Sequence, residues 1–343
     1  MKIILYGAGN TLRKFLLLQQ EQNEIYTDQI VSIVDSDRKK WNTHVLNYAV
    51  NSPEIINNKE WDYIIVTSIY YTDIVNQLTD VYGINNEKII SVEQYMNEKM
   101  ITFQITKNER LNSEKKLNVS EKFNLNSTVV YTTIFGDYDN LNDPLFIDQG
   151  FKYVCYTDNI NLKSNIWEIR HVNIANNENI KLKVREYKIL PHKLFPEYDT
   201  SIWIDANGVI RGSLRELMEK YQKYANILFM PHFARNCIYD EVATCIALYK
   251  DRKHILLQQM KDYLLNGYPE NNGLLSGGFI VRNHNEKDVI NAMEVWWDEV
   301  QHYSQRDQIS LSYALWKTDT CYDLCPAYIY DNNWFTLKLH KGR

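Results

Sequence analysis

Short runs of β-branched and aromatic residues alternate along the chain with stretches whose apolar residues recur every three or four positions. That is the pattern of an α/β protein with mostly parallel strands. Lys2–Tyr6 reads as a buried strand and Gly7-Ala8-Gly9-Asn10 as a turn, with Leu12, Phe15 and Leu16 at helical spacing behind it. Val31–Asp35 and Tyr63–Thr67 supply further strands, each followed by a helix-compatible segment, as far as about Tyr95. Residues 1–96 are therefore expected to form a small Rossmann-like parallel-sheet domain.

From Asn97 to Asn126 Lys, Glu, Asn and Ser dominate and apolar periodicity fades, the composition of a charged linker. A second α/β series starts at Thr128. It predicts strands near Lys152–Thr157, Ile166–Val172, Ser201–Asp205, Ile227–Pro231 and Gly278–Arg282, with helices near Ile180–Leu194, Ser213–Tyr224, Tyr239–Leu265, Glu286–Tyr303 and Asp307–Trp316. Ser213 followed by Glu216 fits a capping box. Residues 127–343 thus read as a second domain, and a length of 343 residues suits two cores.

Charge narrows the partners. A net charge of -5 lacks the clustered Lys and Arg excess that phosphate backbones require, so no nucleic acid is expected. No apolar run approaches the ~20 residues of a membrane helix, and the N-terminus turns at Gly7 too early for a secretion signal. A cytoplasmic protein is expected, at most peripheral at the inner face of a membrane. Five cysteines without a CxxC pair predict reduced thiols and neither a disulfide framework nor a zinc knuckle.

Two constellations carry candidate chemistry. Gly7-Ala8-Gly9 after a strand, with Asp35 ending the next, partly matches a dinucleotide fingerprint in which an acid bonds the ribose. Leu12 stands where the third glycine would be, so nucleotide binding and a structural or docking role both stay open. The domain resembles small Rossmann-like modules that precede sugar-modifying enzymes in bacterial polysaccharide loci. The second constellation is SIWIDANG from Ser201, an apolar strand ending in Asp205 and Asn207 on one side of a sheet edge. Hard oxygens there suit Mg²⁺ or Mn²⁺ and through it a nucleotide-sugar diphosphate; an Asx turn is the plain alternative.

Six segments in order, YTTIFGDYDNL from Tyr131, YVCYTDN from Tyr153, VREYKILPHKLFPEYDTSIWIDAN from Val184, PHFARNCIYDE from Pro231, LLSGGFIVRNHN from Leu274 and RDQISLSYALWK from Arg306, resemble one family. It is the glycosyltransferase-like domain of plant mucilage-forming proteins and bacterial surface-polysaccharide loci. The resemblance implies a GT-A type fold and a DxD-type metal motif, here Asp205-Ala206-Asn207 with an amide in place of the last acid. That amide weakens the case for Mn²⁺ or Mg²⁺ dependence.

The resemblance also implies roles. Asp205, Asn207 and His340 are the expected metal ligands; Thr133, Asp158, Arg185, Lys188, Gly277, Gly278 and Lys341 join Asp205 in donor binding. Asp307 and Gln308 resemble the pair set beside the anomeric carbon and are the expected catalytic residues, while His232, Arg235, Tyr239 and Glu241 are expected acceptor or donor contacts. The expected function is transfer of a sugar from a nucleotide-sugar to a surface polysaccharide, glycan or lipid-linked glycan, with no redox cofactor. Two rivals stand beside it: a noncatalytic sugar-binding or scaffold protein, and a nucleotide-sugar oxidoreductase or epimerase using the glycine turn, with a YxxxK at Tyr249 and Lys253.

Overall fold

The computed structural model describes residues 1–115, 127–175 and 177–341. They form two compact units, Met1–Phe103 and Gln104–Arg343, each an α/β layer structure. Among the described residues no helix is long and apolar enough to cross a membrane.

The first unit carries a six-stranded sheet. Lys2–Tyr6 lies at its centre between Gln29–Val34 and Tyr63–Val66, parallel to both. Ile89–Ser91 extends one side, and Tyr48–Asn51 extends the other with an antiparallel partner, His44–Val45, that the hydrophobic pattern did not announce. Asp35, expected as a ribose ligand, is buried and otherwise engaged. Its carboxylate accepts the Ala8 N–H at 2.6 Å, the Asp37 N–H at 2.8 Å and the Lys40 ammonium at 2.8 Å, so it closes the glycine turn.

The charged stretch expected as a linker is helical for much of its length. A helix runs Val92–Glu114, and residues 116–126 lie outside the described part. Its buried positions recur at helical spacing; Tyr95, Met100 and Ile101 are apolar, but the later ones, Gln104, Asn108 and Asn112, are amides. Within the second unit Gln104 Nε2 donates to the His232 carbonyl at 2.8 Å and its Oε1 accepts the Leu274 N–H at 2.9 Å. Asn108 and Asn112 both donate to the Tyr322 carbonyl at 2.9 Å. A periodicity written in amides is invisible to a hydrophobicity scan, and so the helix read as linker.

The second unit is built on a seven-stranded sheet in the order Asp323–Leu324, Ile227–Pro231, Leu275–Arg282, Thr200–Ile204, Thr128–Ile134, Phe151–Thr157, Glu168–His171. All neighbours are parallel except Leu275–Arg282, which runs against both of its own. Alternate residues of each central strand enter opposite cores. Val129, Tyr131, Trp203, Phe229 and Ile280 face one, and Val130, Ile202, Ile204, Leu228 and Val281 face the other. Burial on both faces explains why these strands read as continuous apolar runs.

Two predicted helices are each broken in two. Ile180–Ile189 gives way to Pro191–Leu194 because proline lacks the amide that would continue the ladder. Ile238–Ala247 and Lys253–Leu265 are separated where Tyr249 takes φ 52° and the Lys250 amide turns back to the Cys245 carbonyl, a helix stop usually made with glycine. Tyr249 is 94% exposed. A small extra ladder, Gly208–Ile210 against Phe335–Leu337, was likewise not foreseen and returns the C-terminal segment to the sheet edge.

The amide face of the long helix makes a test. A fragment beginning at residue 127 should melt well below one beginning at residue 97, because buried carbonyls of His232 and Tyr322 lose donors, each worth about 1–3 kcal/mol. Thermal denaturation of the two fragments checks this; equal melting temperatures would mean the helix contributes nothing.

Candidate active site

Strand order locates the site. From Thr128–Ile134 the chain builds outward through Phe151–Thr157 and Glu168–His171, then returns to the other side of the first strand with Thr200–Ile204. Ligands of open α/β sheets bind beyond the carboxyl ends at such a reversal. Asp205-Ala206-Asn207 follows one of these strands and Gly136–Asp139 the other.

Asp205 leaves the sheet two residues after Trp203 and on the same face, and the Trp203 indole donates to its Oδ1 at 2.9 Å. That face is covered by Ile180–Ile189 and by Asp307–Lys317, whose charged residues therefore meet the strand end. Lys188 Nζ stands 2.5 Å from Asp307 Oδ2 and 4.0 Å from Asp205 Oδ1, while Arg185 Nε is 3.3 Å from Asp307 Oδ1. The side chains of Lys188 and Asp307 are 4% and 9% exposed, and that of Asp205 is 32% exposed, so Asp205 is the group open to a ligand. Burial by itself would raise the Asp307 carboxyl, but Arg185 and Lys188 hold it down at about 2.

Glycine makes the approach possible. A Cβ on Gly277 would lie 2.8 Å from Lys188 Nζ, so the ammonium rests directly on the strand backbone; one on Gly278 would crowd Asp205 Oδ2 at 3.3 Å. Gly208 serves the turn: its amide bonds the Asp205 carbonyl at 2.8 Å, and any Cβ would strike Ile204 at 2.6 Å.

The helix bearing Arg185 and Lys188 is pinned from inside. Arg282 is fully buried, with no carboxylate beside it among the described residues; its Nη1 donates to the Lys188 carbonyl at 2.9 Å and its Nη2 to the Tyr131 hydroxyl at 2.7 Å. Tyr131 in turn donates to the same Lys188 carbonyl at 3.0 Å. A cation is favoured there because the helix C-terminus carries partial negative charge. Neither Arg282 nor Trp203 and Tyr131 was singled out from the sequence; a lone arginine in the apolar run FIVR was the available signal for the first.

The expected metal set is not assembled. Asn207 turns inward, its Nδ2 bonding the Lys338 carbonyl at 2.5 Å and its Oδ1 buried without a hydrogen-bond partner. His340 Nδ1 is taken by Asp139 Oδ2 at 2.8 Å, and the Lys341 ammonium by Asp137 Oδ2 at 3.0 Å. Asp205 has Trp203 on one oxygen and the Lys188 ammonium nearby. Among the described residues no three His, Cys, Asp or Glu side chains are grouped as a metal site would need. The residues present do not fit a resident divalent ion, because the Asn207 amide has turned to a backbone carbonyl and Asp205 stands beside the Lys188 ammonium without further His, Cys, Asp or Glu side chains grouped around it among the described residues.

The remaining candidates divide. Gln308 donates to the Leu275 carbonyl at 2.9 Å, beside the glycine pair. Asp158 is spent on the Gly136 amide, which it accepts at 3.0 and 3.1 Å, so it shapes the turn after the first strand. Thr133 lies within the strand Thr128–Ile134, buried, with its hydroxyl unbonded. The expected contact cluster is internally satisfied: Arg235 pairs with buried Glu241 at 2.7 Å, Tyr239 donates to the Tyr268 carbonyl, and His232 Nδ1 accepts the Ala234 and Arg235 amides. Burial lowers the His232 pKa to about 4, so its ring is neutral at pH 7.

A model of the TOD1/MUCI70 glycosyltransferase-like domain matches residues 96–325, and a model of the C2185-like N-terminal domain matches residues 1–90. Among solved structures, the apo form of the bifunctional glycosyltransferase WbbM aligns at 12% identity and a TM-score of 0.37, over 60% of this chain and 40% of its own. The alignment thus spans less than half of that protein. Among curated proteins none matches.

Asp307 gives a pH test. Its folded value of about 2 lies below the ordinary 3.8, so its contribution is full above about pH 4 and fades as pH falls toward 2. Asp307→Asn should cost about 3 kcal/mol at pH 7, since it strands the buried Lys188 charge, and the deficit should shrink between pH 4 and 2. Urea denaturation across that range reads the difference; a deficit independent of pH would place the effect outside the ion pair.

Proposed function

Because the chain belongs to the TOD1/MUCI70 glycosyltransferase-like family, we propose that it is a transferase that moves a sugar from a nucleotide-sugar donor to a glycan or lipid-linked glycan acceptor of a surface polysaccharide. The observation that carries this reading is the buried Lys188–Asp307 pair with half-buried Arg185 and Asp205 beside it, at Gly277-Gly278 and at the point where strand order reverses. Two cations and a backbone free of Cβ atoms suit a diphosphate and a sugar lying flat against the strand.

In this reading Asp205 orients the donor and Arg185 and Lys188 meet its phosphates. As the bond to the leaving diphosphate breaks, positive charge develops on the sugar. Asp307, ionised throughout the working pH range, is a weak proton acceptor and a good electrostatic partner for that charge. The geometry therefore favours charge stabilisation over general-base work for Asp307. Gln308, held on the Leu275 carbonyl, keeps the first turn of its helix against the glycine pair.

Release of free sugar or transfer to an acceptor, followed across a panel of nucleotide-sugars, tests the function; no turnover with any donor would remove it. Asp205→Ala should weaken donor binding by at least about tenfold while leaving the melting temperature nearly unchanged, because its side chain lies at the open edge. Calorimetric affinity equal to wild type would take Asp205 out of the site. Asp307→Asn, assayed below its melting transition, should lower kcat by about 10²-fold or more with a smaller effect on donor affinity. A fall in affinity alone, with kcat intact, would leave Asp307 a structural ion-pair member.

A further inference from the structure

We propose that the Lys188 ammonium takes the place of a divalent cation, so that a nucleoside diphosphate binds at this site without any metal ion. The inference rests on the donor-binding reading above and deepens it by assigning the charge that neutralises the diphosphate.

Three observations lead there. First, the residues expected to hold an ion are not gathered around Asp205: Asn207 is turned to the Lys338 carbonyl with its Oδ1 shut inside, and among the described residues no three His, Cys, Asp or Glu side chains are grouped. Second, a cation already stands next to the remaining acid. Lys188 Nζ lies 4.0 Å from Asp205 Oδ1 on the surface of Gly277, and a second cation brought to the Asp205 carboxylate would meet like charge at short range. Third, the ammonium can be reassigned without leaving a buried charge alone. Asp307 is shared between Lys188 and Arg185, so when Lys188 turns to a phosphate, Arg185 still pairs with Asp307.

The backbone supports that side-chain movement. The Lys188 carbonyl is clamped by Tyr131 and Arg282, both buried, so the base of the side chain is fixed while its flexible end is free to choose between acceptors. An ammonium has three donors and can keep one on Asp307 while offering another to phosphate oxygen. Trp203, with its ring centroid 5.8 Å from Nζ, walls the cation on one side and directs it toward the open edge.

Calorimetry on the full chain with UDP, GDP, CDP and dTDP, first in excess EDTA and then with Mn²⁺ or Mg²⁺, decides the matter. At least one nucleotide is expected to bind in EDTA, with added metal changing Kd by less than about threefold. Lys188→Gln should weaken that binding by at least about tenfold. Should Lys188→Gln fail to fold, Gly277→Ala serves instead: its new methyl lies 2.8 Å from the flexible end of Lys188 and at an ordinary 3.6 Å from Asp307 Oδ2, so it displaces the ammonium and should bring the same loss with the fold kept. Binding that requires Mn²⁺ or Mg²⁺ would overturn the inference and leave the proposed transferase standing. Binding in EDTA that survives both substitutions would also overturn it. Binding of no nucleotide under either condition would bring down both.

Discussion

A guanidinium in the core, with no carboxylate among the described residues to neutralise it, sets the geometry on which the rest of the second unit depends. Arg282 is completely buried and finds its partners in the Lys188 carbonyl and the Tyr131 hydroxyl. A buried charge left unpaired is among the costlier errors a fold can contain, so these donors and acceptors hold one another in a single arrangement. The arrangement ties three elements at one point: the strand ending in Arg282, the first strand of the sheet through Tyr131, and the last turn of Ile180–Ile189. Because that turn carries Lys188, the core interaction fixes the root of the side chain that reaches the sheet edge.

From this root the charges of the site follow. Lys188 and Arg185 face one buried carboxylate, Asp307, and one half-buried carboxylate, Asp205, with glycines beneath them in place of side chains. The group is electrically balanced by its own four charges, which lets it be buried at all. It is also adjustable, since Asp307 has two cationic partners and can release one. A carboxylate held so far below its ordinary range is suited to stabilising positive charge and unsuited to accepting protons near neutral pH, and that limits the chemistry open to the site.

Much of the candidate site's composition was legible in the sequence, though not its wiring. Asp205, Lys188, Arg185, Asp307 and the glycine pair were each identified from strand ends, helical spacing and the resemblance of six ordered segments, and the structure brings them together. Asn207 and His340 were equally visible as possible metal ligands, but their engagement with Lys338 and Asp139 depends on the returning ladder Gly208–Ile210 with Phe335–Leu337. A three-residue strand has too little pattern to be read in advance. The long helix Val92–Glu114 was missed for a different reason: beyond Ile101 its buried positions are Gln104, Asn108 and Asn112, so the repeat there exists in hydrogen-bonding capacity and not in hydrophobicity.

What the amino-acid sequence determined by itself was the local part: alternating strands and helices, two α/β series, the capped start at Ser213 and the acid that ends the Trp203 strand. These follow from the chain's own periodicities of two and 3.6, which need no distant partner. Tertiary structure alone decided which charges meet. Lys188 and Asp307 are 119 positions apart and Lys188 and Arg282 are 94 apart, distances along the chain over which no local preference acts. Their pairing arises because burial removes water as an alternative partner, leaving each buried charge or carbonyl only those groups that the packed sheet and helices bring within reach.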